Sequence, residues 1–197
     1  MGDKILDSGS RREFSTGAVR DISENKGRMD LLPFDTLSAM TSYYEDNEND
    51  VKEFSLSTIF YYVNSFVVTR DSVHIVDLLC SFIKHAYDDI NTAIIEYSKH
   101  VQAGANKYSK YNWNKGLPTH CFLDSGLRHG VKYLRSDNDE PHDRAFLWNF
   151  ICLLWTLVHH PELDDIFYGN KFDPATIDAY NEQWSDENET INLKESK

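Results

Sequence analysis

The most unusual run of side chains is GANKYSKYNWNKG, residues 104–116, which sets three lysines, three asparagines, two tyrosines and one tryptophan between two glycines. We refer to this run as the elbow. A solvent loop seldom carries so much aromatic area, and a core segment seldom carries so many polar groups. Cations, flat aromatic faces and amides together suit an anionic ligand that contains a flat ring. The alternative is that the rings close one end of the fold while the lysines stay solvated.

Two further sets of polar residues lie at helical spacing downstream of the elbow. Asp124 and Arg128 are four residues apart and share one helix face, either as part of a site or as a surface ion pair. His142 and Asn149 are seven apart, about two helical turns along one face, beside an apolar stripe. They are either a functional pair directed at a neighbouring helix or a capping histidine and a core amide.

Several known catalytic motifs are absent from the sequence. There is no CxxC pair for a thiolate zinc site, no glycine-rich phosphate loop and no GxSxG nucleophile turn. His142-Asp143, with His129 before it and Asp164 after it, resembles the ligand set of an HD phosphohydrolase. The ligands of such enzymes come from well-separated helices, whereas these four residues lie in one short stretch, which disfavours that interpretation.

The formal net charge of −12 argues against binding to nucleic-acid backbones, which requires a basic surface. DNA mimicry is conceivable, but the acidic residues concentrate in two runs, where solvated charge is the simpler explanation. No apolar run approaches the length of a membrane span, and the start lacks a signal-peptide core. Three scattered cysteines in apolar helical patterns predict buried thiols and a cytoplasmic location; they are Cys80, Cys121 and Cys152.

The elements that must position these residues are helices, because apolar residues recur at helical spacing along most of the chain. Pro33 suits a first helical turn, whereas Gly104 and Pro161 are predicted to end helices. The predicted elements are a helix over 31–46, a segment over 54–68 where helix is favoured over strand, a long helix from a cap at Asp71 or Ser72 to about 103, a helix over 119–135, a helix from a cap at Asn138 or Asp139 to about 160, and a short helix near 174–184.

The sequence therefore predicts an all-α helical bundle within one domain. We expect that helical domain to span residues 31–168, with an insert at 47–72. An irregular N-terminal arm over residues 1–30 carries a basic motif. A polar and partly disordered extension is expected over residues 169–197.

Five short stretches carry, in chain order, a resemblance to a known family. They are FSTGAVRD (14–21), KGRMDLLP (26–33), the elbow (104–116), LDSGLRHGVKYL (123–134) and EPHDRAFLWN (140–149). Together they resemble the phage-associated family described as dATP/dGTP diphosphohydrolase, N-terminal domain. The similarity covers residues 14–33 and 104–157, whereas 47–100 looks like an expanded or diverged insert.

That resemblance implies a MazG-like α-helical fold and removal of pyrophosphate from purine deoxynucleoside triphosphates, with Mg²⁺ as cofactor. The sequence departs from the pattern in three places. Ser136-Asp137 replaces a Gly-Glu pair, and Ala145 replaces a second histidine. The paired acidic motifs of MazG-type enzymes have no clean copy, since Asp88 and Asp89 are adjacent rather than one turn apart.

A nucleoside triphosphate needs cations for its phosphates and aromatic faces and amides for its base, and the elbow offers all three. The predicted nucleotide-binding residues are Arg20, Lys26, Arg28, Lys107, Tyr108, Asn112, Trp113, Lys115 and Asn149. The predicted Mg²⁺ ligands are Asp124, Asp139 and Glu140. Asp124 and His142 are also assigned to catalysis, together with Arg128 and His129, which would position water or steady the transition state.

Two other expectations concern partners. The missing acidic motif leaves open a non-catalytic alternative, in which the protein sequesters a nucleotide signal or binds a host protein. The helix that ends near residue 160 is apolar around most of its circumference, and Trp148 and Trp155 widen that surface. Covering the tryptophan side predicts a symmetric homodimer or homotetramer.

Overall fold

The structure, a computed structural model, describes residues 11–21, 26–47, 52–87 and 89–166, except for the side chains of 19–21. Within these ranges the chain forms an all-α bundle, as predicted. Its helices are α1 (Phe34–Asn47), α2 (Leu56–Thr69), α3 (Val73–Ala86), α4 (Ile90–Lys107), α5 (Thr119–Leu134) and α6 (His142–His159). None of the helices in these ranges is long and apolar enough to cross a lipid bilayer. The predicted helix near 174–184 and the 169–197 extension lie outside the described residues.

The first two helices confirm their predictions. Pro33 directly precedes α1, where its fixed φ favours helix initiation, and its carbonyl accepts the first hydrogen bond from the Leu37 amide at 3.0 Å. Ser55 caps α2, because its hydroxyl accepts a hydrogen bond from the Thr58 amide at 3.2 Å. The ambiguous segment over 54–68 is thus helical. Two of its β-branched residues, Ile59 and Val63, are buried in the core.

The single long helix predicted up to about residue 103 is wrong, because the chain breaks between α3 and α4. Asp89 has an extended backbone, and its carboxylate accepts hydrogen bonds from the amides of Asn91 and Thr92 at 2.8 and 3.0 Å. This N-cap starts a new helix where the apolar repeat alone predicts continuity. The predicted end at Gly104 is also wrong, since α4 continues to Lys107.

Replacing Asp89 with alanine should destabilise the protein, because α4 would lose the side chain that satisfies two amides of its first turn. We expect the melting temperature to fall by a few degrees. Asp89→Asn is the matched control, since asparagine retains the capping oxygen without the charge. Equal melting temperatures for wild type and Asp89→Ala would contradict the capping role.

Helices α5 and α6 form an antiparallel pair that approaches closely at two glycines. A Cβ atom at Gly126 would lie 2.8 Å from Phe150, and one at Gly130 would lie 2.8 Å from Phe146. Both distances are shorter than ordinary carbon contacts. The two phenylalanines are fully buried, so their rings occupy the space that two side chains on α5 would otherwise fill.

Part of the N-terminal arm, residues 11–21, forms a short hairpin that the sequence did not predict. Two short strands, β1 (Arg11–Glu13) and β2 (Val19–Asp21), pair antiparallel with Arg12 opposite Arg20. Further along, Gly27 packs against α4, where an added Cβ would lie 2.0 Å from the Ser98 hydroxyl. The Gly27 amide donates to Gln102 Oε1 at 2.9 Å, which ties this segment to the helix that leads into the elbow.

Trp155, on the tryptophan side of α6, is covered by residues of the same chain. Trp155 is 6% exposed and meets Trp113 of the elbow edge-to-face, with ring centroids 4.9 Å apart. The ring of His159 stacks on Trp155, with ring centroids 4.6 Å apart. The homodimer or homotetramer stays a prediction, but Trp155 does not support it. The expectation of three buried thiols is wrong for Cys121, which is exposed.

Candidate functional site

A cavity of about 590 Å³ lies between the end of α4, the elbow, α5 and α6, and we call it the aromatic cavity. Its volume falls in the range of small-molecule sites. Several residues predicted to bind a nucleotide line it; they are Lys107, Tyr108, Asn112, Trp113 and Asn149. Two residues that the sequence analysis assigned to other roles, His129 and Glu140, line the same cavity.

The elbow is held in place by its own aromatic residues. Trp113 is 9% exposed, and its indole nitrogen donates to the Leu31 carbonyl at 3.0 Å. Tyr111 donates to the Asp30 carbonyl at 3.2 Å. Gly116 has a positive φ of 71°, and a Cβ there would lie 2.5 Å from Leu163, so the turn that ends the elbow requires glycine. Trp113 therefore anchors the elbow against the N-terminal segment.

The aromatic faces that remain available to a ligand belong to other residues. Tyr108 is 65% exposed at the cavity wall, and the Lys107 ammonium lies 5.0 Å from its ring centroid. Trp148 of α6 lines the cavity and contacts Phe122 and His100, with centroid distances of 5.8 and 6.0 Å. The sequence predicted a packing role for Trp148. Its position beside a cavity depends on the tertiary structure, so the helical pattern alone could not indicate it.

The other predicted phosphate-binding cations do not line the aromatic cavity. Arg28 forms a two-point ion pair with Asp30 at 2.6 and 2.5 Å, and Lys115 donates to Asn112 Oδ1 at 3.3 Å. Lys26 is exposed. The Arg20 side chain lies outside the described part of the molecule. Lys107 is therefore the one lysine or arginine that lines this cavity among the described residues.

Two buried histidines meet at the edge of the aromatic cavity, which His129 lines. His129 of α5 and His142 of α6 are 9% and 2% exposed, and their Nδ1 atoms lie 3.0 Å apart. The Nε2 atom of His142 lies 2.7 Å from Asp139 Oδ1. A hydrogen bond from Lys132, followed by the one from His142, lowers the pKa of Asp139 to about 2, so this carboxylate is ionised and accepts both bonds.

Glu140 joins the histidines and forms with them the histidine cluster (His129, Glu140, His142). Its Oε1 atom lies 3.7 Å from His129 Nδ1 and 3.8 Å from His142 Nδ1. These three residues could hold a metal ion, as could Asp137, Asp139 and His142. Glu140 also lines a second cavity of about 760 Å³ at the turn between α5 and α6, the acidic cavity, and it is the residue that both cavities share.

Asp124 and Arg128 do not join the cluster. Their side chains are 71% and 52% exposed, and they pair with each other at 2.9 Å across one turn of α5. Neither lines the aromatic or the acidic cavity. Of the two interpretations left open by their spacing, the structure matches the surface ion pair. Their predicted metal-binding and catalytic roles therefore receive no support from this geometry.

The HD-phosphohydrolase alternative fails because its four residues do not converge. His129 and His142 meet, but Asp143 accepts a hydrogen bond from the Tyr87 hydroxyl at 2.9 Å. Asp164 pairs with Arg70 and accepts from the Thr119 hydroxyl at 2.9 Å.

Asn149 has features of both predicted alternatives, a core amide and a site residue. It is 3% exposed and donates to the Ala145 carbonyl of its own helix at 2.8 Å, yet it lines the cavity.

His100 of α4 lines the aromatic cavity and was not identified from the sequence. The sequence feature that could have identified it is its position one turn after Tyr97, on the buried face of the helix. Burial lowers the pKa of His100 to about 4, and the neighbouring His129 adds to that effect. His100 is therefore neutral at physiological pH and presents a polar but uncharged ring to the cavity.

The lowered pKa of His100 predicts that acid destabilises the protein. The pKa in the folded state is below the ordinary value near 6.5, so above that pH neither state binds the proton. Between pH 6.5 and 4 only the unfolded chain binds it, and the free energy of unfolding should fall by on the order of 2 kcal/mol. Urea unfolding at pH 7.5 and 4.5 measures this loss. His100→Gln should lose less stability than wild type, and equal losses would contradict the assignment.

Residues 77–166 match the family model described as dATP/dGTP diphosphohydrolase, N-terminal. The predicted family resemblance is confirmed over this segment. No curated protein matches the chain, and no solved structure does either.

The segment matched by the diphosphohydrolase model begins within α3 and contains every residue that lines the two cavities. It also includes residues 77–100, which belong to the stretch 47–100 that was interpreted from the sequence as an expanded or diverged insert. The N-terminal stretches at 14–21 and 26–33 lie before it. The site that the geometry indicates and the segment that the family match covers therefore coincide.

Proposed function

We propose that this protein is a nucleotide pyrophosphohydrolase that acts on purine deoxynucleoside triphosphates. The observation that supports the proposal is the junction at Glu140, where a cavity with aromatic and amide walls meets a cluster of histidines and carboxylates. The description of the matched family names dATP and dGTP. A site that binds a flat base at one end and bears metal-capable groups at the other suits such substrates.

Different residues of the aromatic cavity would bind the base, the sugar and the phosphates of the nucleotide. Tyr108 and Trp148 offer flat faces for the base, and Asn112 offers an amide that can donate to or accept from a base or sugar edge. Lys107, at the same wall, is the cation for the phosphates. The triphosphate would then extend toward Glu140 and His129, which line the cavity beside α5.

Release of pyrophosphate requires a water oxygen to attack the α-phosphorus while the bond to the bridging oxygen breaks. The water must lose a proton to a nearby base. Glu140 is the carboxylate that lines the aromatic cavity among the described residues, so we assign it the orientation of the water and acceptance of the proton. His142 and Asp139 position this end of the site through their hydrogen bond.

The predicted Mg²⁺ ligand set does not fit the structure as a set. Mg²⁺ prefers oxygen ligands and often binds through one or two carboxylates together with substrate phosphates. Asp124 is occupied by Arg128 at the surface, whereas Asp139 and Glu140 lie at the acidic cavity. We propose that these two carboxylates meet the Mg²⁺ that accompanies a nucleoside triphosphate, which would supply charge neutralisation when bound.

A panel of four deoxynucleoside and four ribonucleoside triphosphates, each incubated with the protein and Mg²⁺, tests the proposed function. We expect dATP and dGTP to give the monophosphate and pyrophosphate, resolved by ion-exchange chromatography. In ¹⁸O-labelled water the label should appear in the monophosphate, because attack is at the α-phosphorus. Release of orthophosphate, or no turnover of any nucleotide, would contradict the proposal.

One observation favours binding without turnover as a second candidate. The carboxylates of α4 do not reach the site as an acidic pair would, since Asp89 caps the helix and Glu96 pairs with Lys99 and Arg144. The protein would then hold a nucleotide and leave it intact. Mass spectrometry of ligand released from heat-denatured protein separates the two: an unchanged triphosphate favours sequestration, and a monophosphate favours hydrolysis.

A further inference from the structure

The histidine cluster has the donor atoms and the spacing of a transition-metal site. We propose that the chain itself binds one divalent transition-metal ion of the zinc class, through His129 Nδ1, His142 Nδ1 and Glu140 Oε1. This ion is distinct from a Mg²⁺ that arrives with a nucleotide. The proposal concerns metal binding by the protein alone, so it stands whether or not a nucleotide is hydrolysed.

The three separations between these atoms define where an ion would lie. They are 3.0 Å between the two Nδ1 atoms, and 3.7 and 3.8 Å from these atoms to Glu140 Oε1. The point equidistant from the three atoms is about 2.0 Å from each, which matches zinc–nitrogen and zinc–oxygen bond lengths. The donors need no rearrangement to reach bonding distance.

The donor set selects the class of ion. Two imidazoles and one carboxylate suit zinc, manganese, iron, cobalt or nickel, whereas Mg²⁺ and Ca²⁺ prefer oxygen ligands. Three protein ligands also leave at least one coordination position open, as in catalytic rather than structural zinc sites. Glu140 lines both cavities, so an ion at this point would be accessible from the aromatic cavity.

The surroundings of His142 hold its ring in the orientation that metal binding requires. A carboxylate oxygen of Asp139 lies 2.7 Å from Nε2 of His142 and accepts its hydrogen bond, so the hydrogen of His142 is on Nε2 and the lone pair of Nδ1 points to His129 and Glu140. Lys132 holds Asp139 in turn at 2.7 Å. A carboxylate that orients a histidine from its far nitrogen is the usual second layer of a metal site.

Without an ion, the short distance between the histidines needs a hydrogen bond from His129 Nδ1–H to the Nδ1 lone pair of His142. The two states therefore differ in the tautomer of His129. A bound ion requires the hydrogen on Nε2, and the metal-free pair requires it on Nδ1. Nitrogen-15 NMR of the imidazoles distinguishes these tautomers and gives a readout independent of activity.

The test uses the untagged full chain, stripped with a chelator and titrated with Co²⁺ or Zn²⁺ in the absence of nucleotide. We expect one equivalent to bind, a visible absorption band for Co²⁺, and a change of His129 to the Nε2–H tautomer. Glu140→Gln and His129→Gln should abolish binding. Asp139→Asn should weaken it about 10- to 100-fold, since it removes the orienting carboxylate only.

His159→Gln is the matched control, because His159 also lies beside a carboxylate, Asp35, at 2.5 Å but outside the cluster. It should bind the ion like wild type. Absence of binding by wild type, or binding that is unchanged in Glu140→Gln and His129→Gln, would overturn the proposal. If His129→Gln does not fold, Glu140 and Asp139 decide the question, since both are exposed and their variants should fold.

Discussion

Glu140→Gln should reduce the rate of pyrophosphate release from dATP or dGTP by at least about a hundredfold, the scale expected for loss of a positioned acid–base group. The substitution keeps the size of the side chain and removes the charge. Because Glu140 is half-exposed at the junction of the two cavities, its replacement should leave the fold intact. The measurement is kcat at saturating nucleotide, with circular dichroism to verify folding.

Glu162→Gln provides the control for this experiment. Glu162 is 66% exposed, pairs with His160 and lines neither cavity. Its replacement should leave kcat unchanged. If Glu140→Gln retains the full rate while wild type hydrolyses the nucleotide, the role assigned to Glu140 is wrong even though the proposed reaction stands. If wild type has no activity, the proposed reaction itself fails.

Gly130→Val should lower the free energy of unfolding by roughly 3 kcal/mol, the upper part of the range for overpacking a core. A Cβ at this position would lie 2.8 Å from Phe146 and 3.1 Å from Ile59, and both residues are fully buried. The branched side chain would push α5 away from α6 and from α2. Urea unfolding followed by circular dichroism measures the change.

Gly104→Ala should act in the opposite direction and is the matched control for Gly130. Gly104 also lies within a helix, but a Cβ there meets no atom within 4 Å. Alanine should therefore stabilise α4 by about 0.5 to 1 kcal/mol, because it restricts the unfolded chain and favours the helix. If both substitutions change the free energy of unfolding in the same direction, the close contact of α5 with α6 does not explain the effect of Gly130→Val.

Both substitutions gain helix propensity relative to glycine, whereas only Gly130→Val forces a side chain into occupied space. The sequence predicts Gly104 as the end of a helix and Gly130 within one, but it does not indicate which of them faces a neighbouring helix. Position in the tertiary structure therefore decides the sign of the effect. The same reasoning applies to Asp89, whose role as a cap is invisible in an apolar repeat that continues across it.

Local patterns in the sequence determined much of the architecture. Apolar residues at helical spacing predicted α1, α5 and α6, helix was favoured over strand for α2, and Pro161 marked the end of α6 correctly. The composition of the elbow indicated a ligand-binding segment, and five of the nine predicted nucleotide-binding residues line the aromatic cavity. These features depend on residues that are neighbours along the chain, so short-range physical rules suffice to recognise them.

The tertiary structure alone decided which polar residues come together. Asp124 and Arg128 carry a sequence pattern as suggestive as that of His142, yet they face solvent, whereas His142 meets His129 and Glu140. The difference depends on which face of α5 packs against α6. That choice is made by the two glycines that admit buried phenylalanine rings, because close approach there turns His129 inward and leaves Asp124 outside. A helical repeat in one sequence defines faces but not the partner of each face, and burial against a partner is what converts polar residues into a site.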